Sequence, residues 1–153
     1  MSRAERAKEL FTQGYACSQA VALAFCDLCG VSEAQIAKLA LPFGGGLGRL
    51  RLTCGAVSGM AMVVGLLFAE AENSPENKKQ VYAITRELTE KFKAENGSLI
   101  CADLLTGANL QVTVGGEAEA RTDAYYKKRP CGELVYCAAQ IIEEYLQEKG
   151  IIV

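Results

Sequence analysis

An all-α fold, a single-domain bundle of about six to eight helices with a glycine-rich loop before the central helix, is what this 153-residue sequence predicts. Apolar residues recur at helical spacing in the longer segments, helix-start and helix-stop residues punctuate the chain, and no convincing set of strands appears. Half the residues are hydrophobic and 22% are charged, enough to bury a sizeable core in one domain spanning residues 1–153.

The elements follow in order. Ser2 with Glu5 makes a capping box for a first helix that runs to about Thr12 and stops near Gly14. A second helix begins around Ala16 to Ser18, carries Val21, Ala22, Phe25 and Leu28 on its apolar face, and ends at Gly30. Ser32 with Gln35 caps a short third helix that Pro42 terminates. The glycine-rich connection Phe43 to Thr53 follows, able to bring backbone close to a bound group.

A fourth helix, from Cys54 to about Glu72, carries small residues at Gly55, Ala56 and Gly59, so neighbouring helices can approach it closely. Ser74-Pro75 starts a fifth, striped by Val81, Ile84, Leu88 and Phe92 and closed by Gly97. Ser98 caps a sixth, short helix with Cys101, Leu104 and Leu105. Residues 106–116 read as loop with a short extended piece at 111–114, and 117–128 read as weakly helical. Pro130-Cys131 opens the last helix, whose apolar face uses Leu134, Val135, Ala138, Ile141, Ile142 and Tyr145.

The chemistry concentrates in the seven cysteines. Four of them, Cys17, Cys54, Cys101 and Cys131, fall in the first turn of a helix, where unpaired N–H groups and the helix dipole stabilise a thiolate. Cys26, Cys29 and Cys137 fall inside or at the ends of apolar helical runs and read as core. The local pair Cys26-Asp-Leu-Cys29 lies at a helix C-terminal end beside Asp27, the wrong place for a thioredoxin-type nucleophile. Cys54 follows the glycine loop, and Arg49 and Arg51 stand just upstream, so it reads as the most activated sulfur.

What is missing narrows the field. There is no histidine, which excludes the usual zinc enzymes, haem attachment through Cys-x-x-Cys-His, and triads or cysteine proteases that need an imidazole. Without histidine no haem is expected, and because the glycine loop fits neither nucleotide-binding pattern and follows a helix, no nucleotide is expected either. A net charge of −2 argues against nucleic acid. The basic run Lys127, Lys128, Arg129 reads as a solvated helix face, or in a sharper reading as a docking patch for an acidic redox partner protein. The uncharged stretches 10–26 and 52–69 are interrupted by polar residues and glycines, so no stable membrane insertion is expected. No export signal is visible, and seven cysteines then point to reduced thiols, metal ligands or transient disulfides in the cytoplasm. The long apolar helices allow a homodimer.

Three functions use these residues. Cys17, Cys54, Cys101 and Cys131 can ligate an iron–sulfur cluster for electron transfer, the favoured reading, although their separations of 37, 47 and 30 residues require assembly from four helices. Gly46, Gly48, Arg49 and Gly55 would then border the cluster. Alternatively, Cys54 is the attacking thiol of a thiol–disulfide oxidoreductase or redox sensor, resolved by Cys17, Cys101 or Cys131. In a third reading the four cysteines close a structural zinc site of an interaction protein.

Cys17, the run Thr53-Cys54-Gly55-Ala56-Val57-Ser58-Gly59, the run Gly97-Ser98-Leu99-Ile100-Cys101, and Cys131 with Leu134-Val135 together resemble the C_GCAxxG_C_C family of putative redox-active proteins. The likeness extends through Phe43-Gly44-Gly45-Gly46 and Gly48-Arg49 and covers nearly the whole chain. The resemblance implies a small helical protein with four signature cysteines, here Cys17, Cys54, Cys101 and Cys131, and a role in redox chemistry. The family is similar to a domain joined to haem-bearing cytochromes. Without a haem motif or histidine, no haem function carries over to this chain.

Overall fold

The computed structural model describes residues 1–153 and contains nine α-helices and no strands. Helix α1 (Arg3–Thr12) starts on the expected capping box, the Ser2 hydroxyl accepting from the Glu5 N–H while the Glu5 carboxylate accepts from the Ser2 N–H. It lies along the last helix, α9 (Cys131–Glu148), burying Ala4, Ala7, Leu10 and Phe11.

The second predicted helix is divided in two, α2 (Cys17–Leu23) and α3 (Cys26–Cys29). The break has a cause far away in sequence. The Ala24 carbonyl, which a continuous helix would give to the Leu28 N–H, instead accepts from Arg3 Nη1 at 2.9 Å, and Leu28 N–H turns to the Phe25 carbonyl. Arg3 is fixed there by a two-pronged ion pair with Asp27 (2.6 and 2.9 Å) and by stacking over the buried Phe25 ring. This split raises the helix number to nine.

Helix α4 (Glu33–Ala40) carries the Ser32/Gln35 capping box and passes through a 3₁₀ turn at Leu41–Phe43 containing Pro42. Helix α5 (Gly55–Phe68) is central and stops four residues before its expected end at Glu72, because the Asn77 side chain donates to the Phe68 carbonyl and accepts from the Glu70 N–H. Helix α6 (Pro75–Asn96) begins on Ser74-Pro75 as the sequence indicates. For α7 (Cys101–Gly107) the capping residue is Ile100, not Ser98; the Ser98 hydroxyl accepts from the Ile100 N–H and donates to Asp103. Only Asp123–Lys128 of the weakly helical stretch forms a helix, α8, capped by Thr122. The piece at 111–114 pairs with no strand, and the only β-bridge joins Thr53 to Ile100.

Thirty buried residues form the apolar cluster, with Phe11, Phe25, Met60, Leu88, Phe92, Ile142 and Leu146 at its centre. Helix α2 packs on α5 where α5 lacks side chains: a Cβ at Gly59 would lie 2.7 Å from the Ser18 carbonyl oxygen, and one at Gly55 would lie 3.2 Å from the Cys17 Cβ. The Gly55/Gly59 pair therefore sets how near Cys17 comes to the start of α5. No helix is long and apolar enough to cross a membrane.

Candidate functional site

The four helix-start cysteines sit where capping arguments put them. Cys17, Cys101 and Cys131 are the first residues of α2, α7 and α9, and Cys54 is the N-cap of α5. All four border one cavity of ≈ 330 Å³, closed on one side by the glycine loop and on the other by residues 116–129. All seven cysteines are free thiols. Cys26 and Cys29 lie outside the cavity lining, on α3, and so does Cys137, whose thiol donates to the Glu95 carboxylate at 2.8 Å.

The glycine loop owes its shape to backbone that few residues adopt. Gly45, Gly46, Leu47, Gly48, Arg49 and Arg51 all have positive φ, between 55° and 74°. Each non-glycine among them stores about 1 kcal/mol of strain. Hydrogen bonds to the start of α7 hold the coil: the Cys101 N–H donates to the Leu52 carbonyl at 2.6 Å and the Ala102 N–H to the Arg51 carbonyl at 3.2 Å. The Cys54 N–H donates back to the Leu99 carbonyl at 2.8 Å. Two of the four cysteines are thereby strapped to one another through backbone.

Of the residues expected around a bound group, Gly48, Arg49 and Gly55 line the cavity. Gly46 does not; Gly44 and Gly45 take that part of the wall. Gly46 instead packs where no side chain fits, since a Cβ there would meet the Leu52 nitrogen at 2.6 Å and both the Arg51 Cα and the Cys101 Cβ at 2.8 Å.

Four guanidinium groups enter the same space. Arg51, only 6% exposed, donates from Nε to the Thr113 carbonyl at 2.9 Å and from Nη1 toward Cys101 Sγ at 3.8 Å. Arg49 reaches Thr113 and lies 3.9 Å from Glu119, the cavity's one carboxylate. Arg129 pairs with Glu119 and lies over the Tyr125 ring. Its side chain is 9% exposed, which corrects its reading as part of a solvated basic face; Lys127 and Lys128 remain exposed. Arg121 stacks 4.5 Å from the Phe11 ring centroid and 5.0 Å from that of Tyr125, and donates to the Phe11 and Tyr15 carbonyls. Arg121, Glu119 and Tyr125 are not singled out by the sequence reasoning above. The arginines four residues before and after Tyr125 are the signal for Tyr125 and Arg121, although both arginines flank α8 and reach the ring from outside it; no local pattern marks Glu119.

Electrostatics reorders the sulfurs. Cys131 is drawn down to about 7, chiefly because the Cys17 thiol hydrogen-bonds to its thiolate, with Arg129, Arg121 and Arg51 adding attraction against the cost of burial. Cys17 moves the other way, well above the usual thiol range, since its own proton is held toward the Cys131 sulfur and burial disfavours its thiolate. Cys54 is pushed up to about 12: the Ala56 and Val57 N–H groups favour its thiolate as the helix start should, but burial outweighs them. Cys101 is raised by burial, with Arg51 opposing. Of the four sulfurs on the cavity, Cys131 alone is drawn down, and Cys54, the sulfur expected to be most activated, is raised by its burial.

No group of three or more cysteine, aspartate or glutamate side chains is arranged to hold a metal ion. A tetrahedral zinc needs four sulfurs within roughly 4 Å of each other, given Zn–S bonds near 2.3 Å. The expectation of a closed four-cysteine zinc site is not met.

No curated protein and no solved structure matches the chain. The family described as "Putative redox-active protein (C_GCAxxG_C_C)" matches residues 15–145, from just before Cys17 to beyond Cys131, and the chain belongs to that family.

Proposed function

We propose that the cavity is a thiol–disulfide exchange centre in which Cys131 attacks and Cys17 resolves. The observation that carries this reading is the shared lining: Cys17 at the start of α2 and Cys131 at the start of α9 border one cavity together with four guanidinium groups, and Cys131 alone of its four sulfurs is drawn down. Cys131 Sγ attacks one sulfur of an incoming disulfide, whose S–S bond breaks and whose departing half leaves as a thiolate. Cys17 then gives up its proton and attacks Cys131 Sγ in the mixed disulfide, releasing the second half. Two electrons pass to the substrate, which leaves as two thiols, and the protein keeps a Cys17–Cys131 disulfide. A redox partner protein acting as a dithiol reductant returns it to the starting state.

The pH dependence of thiol alkylation tests this. Thiolate forms as pH rises, so labelling at Cys131 should climb through about pH 7 and then level off. Cys17→Ala removes the hydrogen-bond donor, so the midpoint should move upward and labelling at pH 7 should fall roughly tenfold or more, about one power of ten for each pH unit that the midpoint moves. An unchanged midpoint in Cys17→Ala contradicts the pairing.

A second reading has its own support. Four thiols on one cavity, amid a surplus of positive charge, also suit an all-cysteine iron–sulfur cluster, whose sulfurs stand wider apart than those around one ion. Iron and sulfide in protein purified without oxygen, with broad visible absorption, would favour electron transfer over exchange. Colourless, iron-free protein that oxidises reversibly favours the dithiol.

A further inference from the structure

The charges around the cavity do not balance. Four guanidinium groups face a single carboxylate, Glu119, which Arg49 and Arg129 share. Arg51 and Arg121 have no carboxylate partner; their hydrogen bonds go to the Thr113, Phe11 and Tyr15 carbonyls and to the Cys101 sulfur. Arg51 is buried, where a cation without a counter-ion costs several kcal/mol, and an anion in the cavity offsets that cost. With one thiolate at the site, two positive charges remain unmatched.

Volume and lining limit the ligand further. A cavity of ≈ 330 Å³ has the size of a small-molecule site. Leu104, Leu105 and Leu134 give it an apolar wall suited to short methylene chains between polar ends.

We propose that this cavity selects a small dianionic substrate, a low-molecular-weight disulfide carrying a carboxylate on each half, with the carboxylates held by Arg49, Arg51, Arg121 and Arg129. The proposal rests on the dithiol reading of Cys131 and Cys17. Exchange proceeds as described above, both halves leaving as carboxylated thiols. Guanidinium is the fitting recognition group, since it grips a carboxylate with two parallel hydrogen bonds.

The test uses the reduced full-length protein and three disulfides of similar size: dithiodiglycolate with two carboxylates, bis(2-hydroxyethyl) disulfide with none, and cystamine with two ammonium groups. Each rate is divided by that of the same disulfide with free dithiothreitol, a neutral dithiol, which removes intrinsic reactivity. Dithiodiglycolate should react at least tenfold faster than the neutral compound and faster still than cystamine. The net charge of −2 on the whole chain favours the opposite order, so this preference is a signature of the cavity. The ratio of dianionic to neutral rates should fall toward one in Arg51→Gln, and part of the way in Arg49→Gln, which serves if the first variant folds poorly. Equal normalised rates for the three compounds would overturn the dianion site while leaving the dithiol in place. No reaction with any of them would overturn the dithiol reading and the site with it.

Discussion

Replacing Cys131 by serine is expected to slow reduction of a small disulfide at pH 7 by about 100-fold, while Cys137→Ser changes the rate less than twofold. The contrast follows from what surrounds each sulfur. Cys131 is held near 7 by the Cys17 thiol and three arginines, so about half of it is thiolate at neutral pH. Cys137 is pushed up to about 11 by burial and by Glu95, leaving roughly one part in ten thousand as thiolate. A more basic thiolate is also a better nucleophile, which recovers about half of those four powers of ten on a logarithmic scale. A deficit near 100-fold remains, and burial of Cys54 and Cys101 keeps them from filling the gap. Stopped-flow thiol release measures it. If Cys54→Ser slowed the reaction about 100-fold and Cys131→Ser were mild, the helix start would outweigh burial, and Cys54 would be the attacking sulfur after all.

The largest stability effect should come from one missing side chain. Gly46→Ala is expected to cost about 3–5 kcal/mol, combining a left-handed conformation that alanine resists with overpacking against backbone that cannot move aside. Its Cβ would lie 2.6 Å from the Leu52 nitrogen and 2.8 Å from the Cys101 Cβ at φ +74°. Gly48→Ala is the control. Gly48 has φ +55° and nothing within 4 Å of an added Cβ, so only the conformational cost of about 1 kcal/mol applies. Thermal unfolding should place the two variants roughly 5–15 °C apart, at ~2–4 °C per kcal/mol for a chain of this size. Equal melting temperatures would mean that the coil rearranges around Gly46. Because Gly46 packs on the Cys101 stem, its substitution should also impair the cavity, through displacement and not through loss of a contact to substrate.

Local signals in the sequence are decisive where the structure is local. Ser2/Glu5 and Ser32/Gln35 form the capping boxes they spell out, and the four cysteines stand at the helix starts that their flanking residues announce. Long-range contacts are not legible in this way. The break at Ala24–Phe25 depends on Arg3, 21 residues away from the carbonyl it captures. Arg129 looks like the end of a basic surface run, and only Glu119 and the Tyr125 ring turn it inward. The burial of Cys54 is a property of the packed α2–α5 pair, so a helix-start argument alone overstates its reactivity. Shared lining of one cavity by four sulfurs 37, 47 and 30 residues apart is likewise a result of packing that no spacing encodes.

The pairing of Cys17 with Cys131 is best tested by stoichiometric oxidation of the reduced protein, blocking of the remaining thiols, and mass-spectrometric mapping of the disulfide formed first. A Cys17–Cys131 bond, with Cys26, Cys29 and Cys137 still free, is the predicted product. A first bond between Cys26 and Cys29, or one joining Cys54 to Cys101 while Cys131 stays reduced, would contradict it.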